Sequence, residues 1–131
     1  MGLGSGRADR FTRFVLVFIG TIVAARLFFL FVGDPQVRLF GGEVHHFYVG
    51  IIVVLLAGFF RFFSTDERLN RIDLEVFAVG TGLIVDEYLF ILATPDTPDY
   101  YFSPVGLGGG VVLAAVLIAV FYAVYREAPH P

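Results

Sequence analysis

The chain has 131 residues, of which 57% are hydrophobic, 17% aromatic and only 16% charged, with a formal net charge of −3 and no cysteine. Soluble domains carry about 25% charged residues. The wealth of aromatic and branched side chains excludes a disordered chain, the lack of cysteine excludes a disulfide scaffold, and the acidic balance without a basic patch argues against nucleic acid as a partner. A small integral membrane protein remains.

Four runs reach the about 20 mostly apolar residues that cross a hydrocarbon core. The first, 14–32, is broken only by Arg26. Its apolar middle behind arginines is like a signal peptide, but the run is long and no small-x-small site follows, so it reads as a retained helix. Gly33-Asp34-Pro35 stops it. The second run, 44–63, follows Gly41-Gly42 and opens on His45 and His46. Ser64 with Glu67, and Asn70 with Asp73, have capping-box spacing around the start of the third run. That third run, 74–93, contains Asp86 and Glu87. Tyr100-Tyr101-Phe102 suits an interfacial aromatic belt. Ser103-Pro104 is a cap and first-turn pair for the uncharged fourth run, 105–125. Connections of roughly ten residues make successive helices antiparallel neighbours. The expected fold is all-α: a polytopic, antiparallel four-transmembrane-helix bundle, one membrane domain over residues 1–131.

Every basic residue is an arginine. Four crossings put Arg7, Arg10, Arg13, Arg61, Arg68, Arg71 and Arg126 on one side and only Arg38 on the other. Positive residues stay in the cytoplasm, so the expectation is a multi-pass cell-membrane protein with both termini cytoplasmic.

Polar groups inside a membrane are costly and are the first candidates for function. Between Leu74 and Leu92 the third run has eleven Leu, Ile, Val or Phe residues. They favour insertion by roughly 3 to 7 kcal/mol, and two ionised acids oppose it by about 5 to 7 kcal/mol. This helix therefore needs partners for Asp86 and Glu87. Arg26 lies about 9 Å from the outer end of helix one, and the acids about 10 Å from the outer end of helix three. His45 and His46 open helix two at the same level. The expected site is an outer cluster of Arg26, His45, His46, Tyr48, Asp86 and Glu87. Adjacent helical residues point about 100° apart, so Asp86 and Glu87 cannot share one axis. Asp86 shares a face with Gly82, and Glu87 with Gly80, so either face can pack closely on a neighbour.

Three readings of this cluster follow. In the first it binds a ligand, most concretely a divalent transition metal: Glu43-x-x-His46 puts a carboxylate and an imidazole on one helical face, and Asp86 or Glu87 completes a nitrogen and oxygen set. A metal-dependent membrane enzyme is a variant of this reading. In the second, acids and histidines relay protons or ions, although the inner half has no matching intramembrane group. In the third the cluster locks the helices of a structural or accessory subunit, with Arg26 paired to Asp86 or Glu87 and the histidines bonded to a carbonyl or to Tyr48. The bilayer, other membrane subunits or a second copy are then the partners. Gly106, Gly108, Gly109 and Gly110 lack the lysine and strand of a phosphate loop and read as a close-packing surface. No catalytic nucleophile–histidine pair stands out.

The segment Val44-His45-His46-Phe47-Tyr48-Val49-Gly50, followed by Leu83-Ile84-Val85-Asp86-Glu87-Tyr88, resembles a family of small integral membrane proteins of archaea and bacteria. Its members tend to open one helix with H-H-x-x-x-G and to carry D-E-aromatic in the next. The resemblance covers helices two and three. The family has a further histidine where this chain has Glu43. It brings no activity, and implies only that His45, His46, Asp86 and Glu87 belong to one site.

Overall fold

The computed structural model describes residues 3–33, 38–39, 42–43, 45–92 and 102–127. It is a four-helix bundle: α1 Leu3–Val32, α2 His46–Phe63, α3 Glu67–Leu92 and α4 Pro104–Glu127. Two-residue strands, β1 Arg38–Leu39 and β2 Gly42–Glu43, pair antiparallel before α2, with Arg38 opposite Glu43.

Local chemistry sets the borders. Gly33 ends α1 at φ +78°, donating its N–H to the Phe29 carbonyl at 3.0 Å, a left-handed stop that glycine adopts without strain. Ser64 closes α2 through its N–H to Phe60 O (2.8 Å), and its Oγ accepts the Asp66 N–H at 3.2 Å, turning the chain into α3. Since α3 already runs from Glu67, Asn70 and Asp73 lie inside the helix rather than at its cap. Ser103 does cap α4, its Oγ accepting the Gly106 N–H at 3.1 Å, with Pro104 in the first turn. Asp34, Pro35, Gly41, Tyr100 and Tyr101 lie outside the described residues.

α2 begins later than its apolar run. His45 is extended (φ −78°, ψ 144°), and Glu43 belongs to β2. The glycine-rich approach pairs as a short hairpin, so Glu43-x-x-His46 is not one face of a helix.

Side-chain contacts give the directions. Arg13 meets Glu75 and Arg26 meets Asp86, so α1 and α3 run parallel. Gly50 lies against Ile84 and Gly80 against Val54, so α2 and α3 are antiparallel. Phe14 packs edge-on against Phe121 with ring centroids 5.0 Å apart, while Phe11 stacks on Tyr125, so α1 and α4 are antiparallel. Both ends of the described chain therefore lie at the same end of the bundle.

Among the described residues, successive helices are neighbours for α2–α3 and α3–α4 but not for α1–α2. α3 is the hub, packed on α2, α1 and α4, whereas the backbones of α1 and α2 do not pack together among the described residues. Small residues decide this. A Cβ on Gly80 would stand 2.9 Å from Gly50 O, and one on Gly82 would stand 3.0 Å from Phe18 O. α3 thus presents one glycine to each neighbour, and backbones approach to a distance that no side chain allows. Phe14, Phe18, Ala78 and Val85 form the buried core between α1 and α3.

Among the described residues, three helices are long and apolar enough to cross a membrane: Ala8–Val32, His46–Phe63 and Pro104–Glu127. The third apolar run, now part of α3, is not among these three. The 26 residues of α3 give it a comparable length, but Asp73, Glu75, Asp86 and Glu87 lower its hydropathy. The central position of α3 compensates, because Asp73, Asp86 and Glu87 are buried. The outward surfaces of α1, α2 and α4 are apolar, with Phe31, Leu55, Phe62, Val111 and Val124 all exposed.

Candidate functional site

Arg26 of α1, His45 and His46 at the start of α2, and Asp86 and Glu87 of α3 meet toward the end of the bundle opposite both termini. Asp86 is the hinge of the arrangement. Its side chain is fully buried, and Arg26 Nε donates to its Oδ1. Arg26 Nη2 also donates to the Asp86 carbonyl at 2.9 Å, so the guanidinium fork grips side chain and backbone together. The other carboxylate oxygen, Oδ2, lies 3.1 Å from His46 Nε2.

Glu87, with a side chain 5% exposed, turns toward α2. Its Oε1 lies 2.7 Å from His45 Nδ1, and its Oε2 accepts the backbone N–H of Phe47 at 2.7 Å. His46 Nδ1 is 3.1 Å from the same Oε2. The first N–H groups of a helix lack intrahelical partners and carry a partial positive charge. Glu87 serves that terminus from across the bundle, in place of a capping side chain, since His45 makes no side-chain cap. A carboxylate oxygen accepts from an imidazole N–H, so the two rings present nitrogens to both acids: Nδ1 of His45 to Glu87, and Nε2 and Nδ1 of His46 to Asp86 and Glu87.

The about 100° between adjacent helical side chains is what makes the cluster. A hub helix has neighbours on both sides, so Asp86 takes α1 and Glu87 takes α2. The glycine faces match, with Gly82 against Thr21 of α1 and Gly80 against Val54 of α2. His45 and His46 escape the same limit because only His46 is helical.

Arg26, His45, His46, Asp86 and Glu87 are thus brought together, and Tyr48 is not. Tyr48 is half exposed, its ring 6.4 Å from that of His45, and no hydrogen bond joins its hydroxyl to the cluster among the described residues. The Glu43 side chain lies outside what is described. Two contributors were missed from sequence. The Phe29 ring packs at 5.0 Å from the His46 ring. Its place one turn after Arg26 was a usable signal. The Phe47 N–H is a backbone donor and leaves no trace in residue type.

No family model matches the chain. Nor does any curated protein or any solved structure. The likeness of the histidine and Asp-Glu motifs to small membrane proteins therefore carries no family assignment. Among the described residues, no group of three or more His, Cys, Asp or Glu side chains is disposed to hold a metal ion.

Chemically, the arrangement is a buried network in which two carboxyl groups meet one guanidinium, two imidazoles and one backbone N–H. Each of the four carboxylate oxygens lies at hydrogen-bonding distance from a nitrogen of α1, of α2 or of His45 just before it.

Proposed function

We propose that this chain is a small multi-pass protein of the cell membrane, with both termini cytoplasmic, whose outer polar cluster locks the helices together, and that it works as a structural or accessory subunit of a membrane assembly. The observation that carries this reading is the use of all four oxygens of Asp86 and Glu87 by donors of the protein itself. Buried charges are tolerated when they are paired and hydrogen-bonded, and removing one partner is costly. The arginine bias supports the orientation. The apolar exterior supports a place among lipids or other membrane subunits.

The test is thermal unfolding in lipid nanodiscs. Asp86→Asn and Glu87→Gln lower the midpoint well below that of the unaltered protein. Midpoints equal to it would overturn the lock. The subunit role is tested by the mass of the gently solubilised native particle: a lone chain with lipid overturns it.

A divalent transition metal held by His46, Asp86 and Glu87 is the competing reading. Its support is the convergence of nitrogen and oxygen donors at one place. Those donors sit at hydrogen-bonding distance from one another, which favours the lock. Stoichiometric metal in the purified protein, lost in His46→Ala, would reverse that preference.

A further inference from the structure

The far end of the bundle, near both termini, holds a second feature that the polar cluster does not use. Between α1, α3 and α4 lies a pocket of about 310 Å³, walled by Phe14, Leu74, Phe77 and Phe121, with Arg10 and Tyr125 also on its lining. That volume is at the lower end of the about 300 to 1,000 Å³ of ligand sites. Its lining is almost wholly hydrocarbon and aromatic, and Arg10 is its one charged residue.

The nearby charges divide unequally. Arg13 is held by Asp9 at 3.5 Å and by Glu75 at 3.4 Å. Those two carboxylates are thereby committed, and Arg10 forms no ion pair among the described residues. Arg26, beside the apolar groove between α1 and α4, differs because Asp86 already neutralises it. The pocket near the termini therefore joins an apolar, aromatic cavity to a cation with no carboxylate partner among the described residues.

We propose that this pocket is a binding site for an anionic phospholipid, with part of an acyl chain against Phe14, Phe77 and Phe121 and the phosphate on the Arg10 guanidinium. Charge complementarity selects the head group, and the aromatic walls take the chain. A phospholipid is the anionic amphiphile that a bilayer supplies to a pocket at its interface, and basic pockets between membrane helices bind such head groups. Tyr125 at the lining fits the headgroup level, where tyrosine rings accumulate. The site is independent of the helix lock at the other end.

Native mass spectrometry of the full chain with added phosphatidylglycerol or phosphatidylcholine of the same acyl chains tests this. Phosphatidylglycerol is expected to be retained about fivefold better, the worth of one arginine at an anionic surface. Arg10→Gln, an exposed position whose change leaves the fold intact by circular dichroism, abolishes the preference. Leu74→Trp, which fills the pocket, lowers retention of both lipids. Arg126→Gln, which does not line the pocket, leaves the preference in place. Equal retention of the two lipids overturns the proposal. So does an Arg10→Gln protein that behaves like the parent, or a loss in Arg126→Gln as large as in Arg10→Gln. Displacement of the phosphatidylglycerol by equimolar oleate would assign the pocket to free fatty acid and overturn the phospholipid.

Discussion

At the scale of single residues, Asp86 carries the largest consequence. Its carboxylate is buried between two helices and neutralised by one guanidinium. Arg26→Ala leaves that charge uncompensated and is expected to cost about 3 to 5 kcal/mol. Arg26→Lys recovers only part of this, because an ammonium cannot grip Oδ1 and the backbone carbonyl with one rigid fork. Reversible unfolding in bicelles measures both. Glu87 acts on a backbone instead. Glu87→Ala removes the acceptor of the Phe47 N–H and is expected to cost about 1 to 3 kcal/mol. It also raises hydrogen exchange at Phe47 while exchange at mid-helix amides of α2 stays slow. An unchanged Phe47 rate would contradict the assigned cap. The pairing of Arg26 with an acid of α3 was legible in the sequence, because insertion energetics demanded a partner at that depth. The choice of Asp86 over Glu87 was not, since both share a face with a glycine.

At the scale of elements, the glycines separate into those that touch a neighbour and those that do not. A Cβ on Gly80 would meet Val54 Cγ2 at 2.8 Å and Val54 N at 2.9 Å. Gly80→Val forces α2 and α3 apart, with an expected loss of about 1 to 3 kcal/mol from overpacking. Gly108 has nothing within 4 Å of its would-be Cβ. Gly108→Ala is expected to be neutral or to stabilise α4 by roughly 0.5 to 1 kcal/mol through backbone entropy. Thermal midpoints of the two variants should move in opposite directions. Helix existence and most borders follow from local chemistry, as at Gly33 and Ser103. The start of α2 does not, because a two-residue hairpin competed with helix extension through Glu43. Hydrophobicity alone cannot see such a pairing.

At the scale of the whole molecule, the order of packing is the main finding. α3 is the least apolar helix and also the central one, which places its acids among other helices rather than in lipid. A thiol-crosslinking series checks this. Arg13→Cys with Glu75→Cys is expected to be joined by a short bifunctional reagent, since the native side chains meet at 3.4 Å. Arg13→Cys with Phe59→Cys is expected to remain unlinked, since the backbones of α1 and α2 do not pack together among the described residues. Efficient linkage of the second pair would mean that α1 and α2 are neighbours after all.

Apolar run length was enough to read an all-helical chain with segments fit to cross a membrane, because that property depends on each segment's own composition. Which helix sits at the centre, and hence which donor each carboxylate meets, depends on how closely two backbones can approach. That approach is set jointly by Gly50 with Gly80 and by Thr21 with Gly82, residues far apart in the chain whose complementarity exists only once the helices are side by side.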